Sequence, residues 1–198
     1  MKILAFTDTH ANPNDLKKIL SKVKEKPDIL ISCGDLSFFG RGLDKVCKEL
    51  NEIGLQILSI HGNHEGSEEM KRMYKKYKNF TDIHSGILEI DNFVFFGYGG
   101  GGFTKIDERF ETIVRKVERE ISKDKKLIFI SHMPPYKTKL DYLDLDHVGS
   151  KSYRKFIEKN KPILVFSGHI DENAYVKDKV GETLIINPGP GGTIIELK

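Results

Sequence analysis

Five short clusters of carboxylate, imidazole and amide side chains recur along the chain: Asp8-Thr9-His10, Gly34-Asp35, Gly62-Asn63-His64-Glu65, Ser131-His132 and Gly168-His169-Ile170-Asp171. They offer the nitrogen and oxygen donors that divalent cations bind. An isolated Asp-x-His or Gly-Asp is common by chance. Here each cluster stands just beyond a short apolar run, and side chains beyond the carboxyl ends of neighbouring parallel strands converge on one edge of a sheet. The chemistry open to such a convergence is two-metal hydrolysis, in which paired cations acidify a shared water and offset charge on the attacking and leaving oxygens.

The elements that must position these groups are legible in the hydrophobic pattern. Ile3 to Thr7, Ile29 to Cys33, Leu55 to Ile60, Leu127 to Ser131 and Ile163 to Ser167 are nearly continuous apolar runs, as expected of strands buried on both faces. Between them Leu16, Ile19, Leu20 and Val23 recur at helical spacing, with Asn12 placed as N-cap and Pro13 as first helical residue. Leu43, Val46, Cys47 and Leu50 repeat that stripe, as do Met70, Met73, Tyr74 and Tyr77, then Phe110, Ile113, Val114 and Val117; Ser150 is placed to cap a helix carrying Tyr153, Phe156 and Ile157. Strand and helix alternate through the first half, which predicts right-handed crossovers and a parallel sheet. Gly86 to Ile90 and Phe93 to Gly97 flank Asp91-Asn92 as a hairpin. Tyr175-Val176, Thr183 to Ile186 and Thr193 to Leu197 read as antiparallel strands near the end. Two packed sheets with helices outside accommodate both halves.

The 198 residues suit a single domain over 1–198, and 38% hydrophobic with 31% charged residues describes a soluble globular chain. No run approaches a membrane span and the start is not a signal peptide, so a cytoplasmic location is expected. The formal charge of +3, with no basic and aromatic strip, argues against nucleic acid as partner. Cys33 and Cys47 are expected to be buried thiols rather than a disulfide framework. Abundant Lys, Glu and Ile with no Trp is a composition met in thermophiles.

From Asp8 to Asp171 the chain resembles the calcineurin-like metallophosphoesterases, whose pattern is Asp-x-His, Gly-Asp, Gly-Asn-His-Asp/Glu, a later His, and Gly-His-x-His. The resemblance implies an α/β fold, a four-layer α/β/β/α sandwich of two mixed sheets, around a dinuclear metal centre. It implies hydrolysis of a small phosphoester, mono- or diester, by a bridging hydroxide. Carried over by position, Asp8 and His10 bind the first metal, Asp35 bridges, and Asn63, His132 and His169 bind the second. His64 is not a ligand in that pattern; it lies near the scissile phosphate, where imidazole can stabilise charge or protonate the leaving oxygen. Asp35 suits the bridge because a carboxylate has two oxygens, whereas neutral imidazole gives one nitrogen to one metal. The mixed donor set favours two divalent ions such as manganese or iron, with zinc, nickel or magnesium also compatible.

Asp171 departs from the pattern, which has a histidine there. Its oxygen still suits manganese, iron or magnesium. A third aspartate, however, cancels the positive charge left by two divalent ions, two aspartates and hydroxide. A harder metal preference and slower or alkaline-shifted hydrolysis are expected. The alternative is a weakly active or inactive interaction scaffold with the first site unfilled; a nuclease ranks below both. His61 and His84 read as structural, whereas His147, with Lys137 or Lys139 in the long segment after His132, is a substrate-contact candidate. Gly97 to Gly102 lacks the residues of a phosphate-binding loop and reads as a turn near the site, as does Asn187 to Gly192 between terminal strands. Oligomeric state is left open.

Overall fold

The structure, a computed structural model, describes residues 1–122 and 124–197. The first half runs β1 (Lys2–Phe6), α1 (Pro13–Lys22), β2 (Ile29–Ser32), α2 (Leu43–Asn51), β3 (Ile57–Ser59), α3 (Ser67–Lys76), β4 (Phe80–Asp82), β5 (Gly86–Ile90) and β6 (Phe93–Tyr98). It continues through α4 (Glu108–Glu120), β7 (Lys126–Ser131), the short hairpin β8 (Tyr142–Leu143) and β9 (Asp146–His147), α5 (Lys151–Asn160), β10 (Leu164–Phe166), β11 (Lys177–Val180), β12 (Thr183–Ile186) and β13 (Thr193–Glu196).

These strands form two mixed sheets, ordered β13-β1-β2-β3-β4 and β11-β12-β10-β7-β6-β5. Alternation along the strands explains the layering. Ile3 and Ala5 of β1 and Ile128 and Ile130 of β7 meet in one core between the sheets. Leu4 and Phe6 face the other way, against Leu16, Ile19, Val46 and Leu50 of α1 and α2. Leu127 and Phe129 turn outward against Phe110, Val117, Phe156 and Ile157 of α4 and α5. Each central strand thus buries both faces, which is why it reads as a continuous apolar run. The result is the expected helix, sheet, sheet, helix arrangement.

The caps are where the sequence places them. Asn12 accepts a hydrogen bond from the Asn14 N–H at 2.9 Å, and Ser150 accepts one from Tyr153 at 3.3 Å. Cys33 and Cys47 are buried free thiols. Among the described residues no helix is long and apolar enough to cross a membrane.

Two local expectations are corrected and one further strand is added. Tyr175-Val176 is not a strand: Tyr175 has a left-handed backbone (φ 67°), and the strand follows at Lys177–Val180. Lys177, Asp178 and Lys179 supply no apolar run because β11 is an edge, where charge blocks further pairing. The three terminal segments do not form one antiparallel set either. β12 runs parallel to β10 and antiparallel to β11, while β13 crosses to the other sheet and lies antiparallel to β1. Finally, the three-residue edge strand β4 carries too few residues to show a period.

Candidate metal centre

The five clusters meet at the carboxyl ends of β1, β2, β3, β7 and β10, so both sheets contribute to one site. Backbone contacts between neighbouring strand ends hold the clusters in register: Asp8 N–H donates to Gly34 O (3.1 Å), His10 N–H to Asp35 O (3.0 Å) and Gly168 N–H to His132 O (2.8 Å). His132 spans the two sheets, its Nδ1 lying 2.9 Å from Cys33 O. The chain turns sharply here. Asp8, His10, Asp35 and His169 all have left-handed backbone, with φ of 52°, 47°, 52° and 75°. Asp and His tolerate that region better than most residues, and strained backbone of this kind concentrates at functional sites.

Two glycines are required by close approach. A Cβ on Gly62 would fall 1.8 Å from Asp35 Oδ1, and one on Gly168 would fall 2.4 Å from Asp8 Oδ2 and 2.0 Å from Thr7 Oγ1. The glycines of Gly-Asn-His and Gly-His therefore exist to let two carboxylates reach the centre.

Ligand-type atoms from Asp8, Asp35 and His132, from His10, Asp35 and His64, and from Asp8, His10 and Asp171 lie within 4.8 Å of one another in each group. Asp35 joins two of these groups. Its Oδ2 is 3.4 Å from His132 Nε2 and 3.8 Å from His64 Nε2, while Oδ1 accepts the His64 backbone N–H at 2.9 Å. Asn63 Oδ1 lies between two imidazoles, 2.9 Å from His132 Nε2 and 2.7 Å from His169 Nδ1. Asp8 Oδ2 accepts the His169 N–H at 2.9 Å, and Asp171 Oδ2 stands 3.8 Å from His10 Nε2. All eight side chains singled out at strand ends (Asp8, His10, Asp35, Asn63, His64, His132, His169 and Asp171) are brought together.

Charge and burial are out of balance in this cluster. Burial pushes Asp8 up to about 6, with His132 opposing and Asp35 reinforcing the shift. Burial also acts upward on Asp35, but hydrogen bonding and charge from His132, then His64, bring it down to about 2. His132 is raised to about 9 because Asp35 outweighs the cost of burying its charge. Contact with Asp171 raises His10 to about 9 as well. His169 goes the other way, to about 4, through burial and the charge of His132. Protonated imidazoles thus supply the positive charge that the carboxylates demand. Asp8 Oδ1, His64 Nδ1 and His169 Nε2 are buried with no hydrogen-bond partner among the described residues. Unsatisfied donors and acceptors of this kind, in a cluster of acids and imidazoles, fit divalent cations.

Glu65 is a site residue whose role the sequence does not disclose. It is 4% exposed, and its carboxylate accepts from Asp35 N–H (3.1 Å), Ser37 N–H (2.6 Å) and Ser37 Oγ–H (2.8 Å). It holds the loop that carries Asp35. A lone glutamate before a helix reads as surface; only its place directly after His64 is a signal.

His147 is not in the cluster. Its Nδ1 lies 2.7 Å from the fully buried Asp141, and it lines a separate cavity of about 410 Å³ with Lys137, Lys139, Tyr142 and Asn173. Asn173 ends the 3-10 turn that begins at Asp171. The His61 and His84 rings pack at 4.6 Å with their planes tilted by 49°, and the Gly99 N–H donates to His84 Nδ1 (2.9 Å). Burial lowers both, His84 to about 4, as suits packed neutral rings. The glycine run serves this packing too, since a Cβ on Gly99 would fall 2.4 Å from His61 O.

The sequence profile of the calcineurin-like phosphoesterases matches residues 1–172. The chain belongs to that family. It is 34% identical to an uncharacterised protein of Methanocaldococcus jannaschii over 96% of this chain and 88% of that one. It is 25% identical to a probable glycerophosphodiester phosphodiesterase, GpdQ, of Arcobacter nitrofigilis, over 86% of this chain and 71% of that one. Among solved structures, the fold is shared with protein TT1561 of Thermus thermophilus at a TM-score of 0.75 and 18% identity, covering 95% of this chain and 88% of that one. Membership of that family is consistent with metal-dependent hydrolysis of phosphoesters, and the clustered carboxylates and imidazoles could hold metal ions.

Proposed function

We propose that this protein is a dinuclear metal-dependent phosphoesterase acting on a small mono- or diester. In this reading Asp8, His10 and Asp171 hold one divalent ion, Asn63, His132 and His169 hold the other, and Asp35 is shared. The observation that carries it is the overlap of the three donor groups, in which Asp8 and His10 share one with Asp171, and Asp35 shares one with Asp8 and another with His10. When bound, the ions supply positive charge that acidifies water and offsets charge building on the phosphoryl oxygens. Manganese or iron fits the mixed nitrogen and oxygen donors best.

The remaining chemistry belongs to the chain's own groups. His64 Nε2, near Asp35 Oδ2, is placed to protonate the departing ester oxygen, and its ring stands 4.8 Å from His10. Glu65 keeps Asp35 in place by gripping the backbone on both sides of Leu36. His147, with Lys137 and Lys139, lines a separate cavity with Asn173 and has no part in this reading of a small substrate. A cytoplasmic location without a nucleic-acid partner suits such an enzyme.

The test is turnover of bis-p-nitrophenyl phosphate and p-nitrophenyl phosphate by purified protein with added manganese. Asn63→Ala should abolish it. No turnover with any divalent metal would leave the interaction scaffold as the better description.

A further inference from the structure

Three exposed phenylalanines border the metal centre. Phe38, Phe39 and Phe103 are 51%, 66% and 59% exposed, yet each touches a centre histidine. Phe39 lies 4.2 Å from the His64 ring at a 33° tilt, Phe38 lies 5.1 Å from His64 and 6.1 Å from His10, and Phe103 lies 4.9 Å from His169. Aromatic surface therefore stands at both the His10/His64 end and the His169 end of the cluster.

A single exposed apolar side chain needs no explanation. The backbone beneath these does. Phe39 occupies the left-handed region at φ 52°, which a bulky side chain enters only at a cost, while Gly40 and Gly42 beside it have φ of 78° and 80°. Glycine would occupy position 39 without strain, but the chain carries an aromatic ring there. The loop is also clamped from below. Glu65 holds Ser37, Ser37 Oγ accepts the Gly40 N–H at 3.0 Å, and Phe38 bridges to Arg41. On the other side Gly100, Gly101 and Gly102, all at positive φ, lead to Phe103, and Gly100 N–H is tied to His61 O at 2.8 Å. The rings are held in the open by polar contacts, not by burial.

Phe39 leans on His64, Phe38 meets Phe39 at 4.9 Å with the ring planes 82° apart, and most of Phe39 still faces solvent. The apolar surface is not continuous: exposed Arg41 follows on one side, and on the other exposed Thr104 and Lys105 separate Phe103 from exposed Ile106 along the chain. An alkyl chain needs an unbroken apolar track, whereas a flat aromatic group needs only a face to stack on. We propose that the substrate is a phosphoester of a nucleoside, with its base stacked on Phe39 at the His10/His64 end of the cluster. This rests on the phosphoesterase reading of the cluster. It also predicts a substrate different from a glycerol phosphodiester, which has no ring to stack.

The test compares adenosine 5′-monophosphate with ribose 5-phosphate, which carries the same phosphate and sugar without the base. Calorimetric binding to the manganese-loaded protein should favour the nucleotide about tenfold, the scale of one base stacked on an aromatic side chain. Phe39→Gly relieves the left-handed strain, so it should fold, and it should bring the ratio close to one. Phe39→Tyr should restore it. Equal binding of the two ligands, or no binding of either, overturns the inference. So does a larger gain for octyl over ethyl phosphate than for the nucleotide over the sugar phosphate, which would assign the rings to an alkyl group. Because binding is read separately from turnover, loss of hydrolysis with the binding ratio intact would count against the phosphoesterase reading alone.

Discussion

The floor and the rim of the metal centre are built differently. On the floor Asp8, Asp35 and His132 are 6%, 2% and 0% exposed, and each is fixed by backbone or by a charged neighbour. On the rim Asn63 is exposed and the Asp171 side chain is 66% exposed, with His10 Nε2 3.8 Å away, beyond hydrogen-bond reach. A solvent-exposed pair of that kind contributes little to stability, whereas removing one member of a buried pair strands a charge. Floor residues therefore couple chemistry to folding, and rim residues separate the two. That separation explains how this chain carries Asp where the family pattern has His without endangering the fold.

The division can be broken by experiment. Asp35→Asn should cause the largest loss: turnover falls to background, and the uncompensated His132 costs about 3–5 kcal/mol of stability by chemical denaturation. Asn63→Ala should also abolish turnover, yet change stability by less than about 1 kcal/mol because its side chain is exposed. If the two variants unfold alike, the distinction between floor and rim is wrong. Glu65→Gln lies between them. It loses a charged acceptor of three hydrogen bonds, at about 1.5–3 kcal/mol, and should weaken metal binding about 10- to 100-fold in a chelator competition.

A pH experiment sharpens the same contrast. His132, fully buried beside Asp35, has a folded-state value of about 9 against an ordinary 6.5, so its stabilisation is complete below 6.5 and is lost as pH rises through 9. His10 shifts in the same direction through the exposed Asp171, a pair that solvent screens and that adds little. Asp8, raised to about 6, acts in the same direction at lower pH, because its ionisation is disfavoured in the folded chain. The metal-free protein should therefore melt at progressively lower temperature from pH 6.5 to 9. Metal uptake near pH 7 should release protons from these imidazoles, seen as a buffer-dependent heat of binding. A melting temperature that stays level over that range would contradict the charge assignment. The smallest effect on stability is expected from Asp171→His, within about 0.5 kcal/mol. Its signature is functional: metal preference should shift away from hard ions and the pH–rate profile toward lower pH. If neither moves, Asp171 is a bystander.

Much of this centre is legible without the fold because its residues occupy one topological place. Parallel strands buried on both faces leave continuous apolar runs, and a polar cluster ending each run marks the sheet edge. Asp8, His10, Asp35, Asn63, His132 and His169 are found by that rule, and His64 with them. Glu65 belongs to the same cluster, but its role escapes the rule, because nothing in the local spacing says that its carboxylate turns back to hold the Asp35 loop. The charged edge strand β11 escapes for the opposite reason, since it lacks the alternation that announces a strand. Phe38 and Phe39 fall outside every period, although two adjacent aromatics in a glycine-containing loop are themselves a signal.

The sequence by itself determined the strand and helix stripes, the caps at Asn12 and Ser150, and the donors that end each strand, because these depend on local spacing and residue chemistry. Only the tertiary structure decided that β13 returns to β1, that His147 faces Asp141 instead of joining the cluster, and that Glu65 holds Asp35. Those outcomes depend on which distant segments share a boundary. No periodicity along the chain encodes a hydrogen bond between residues thirty positions apart; packing of the two sheets does.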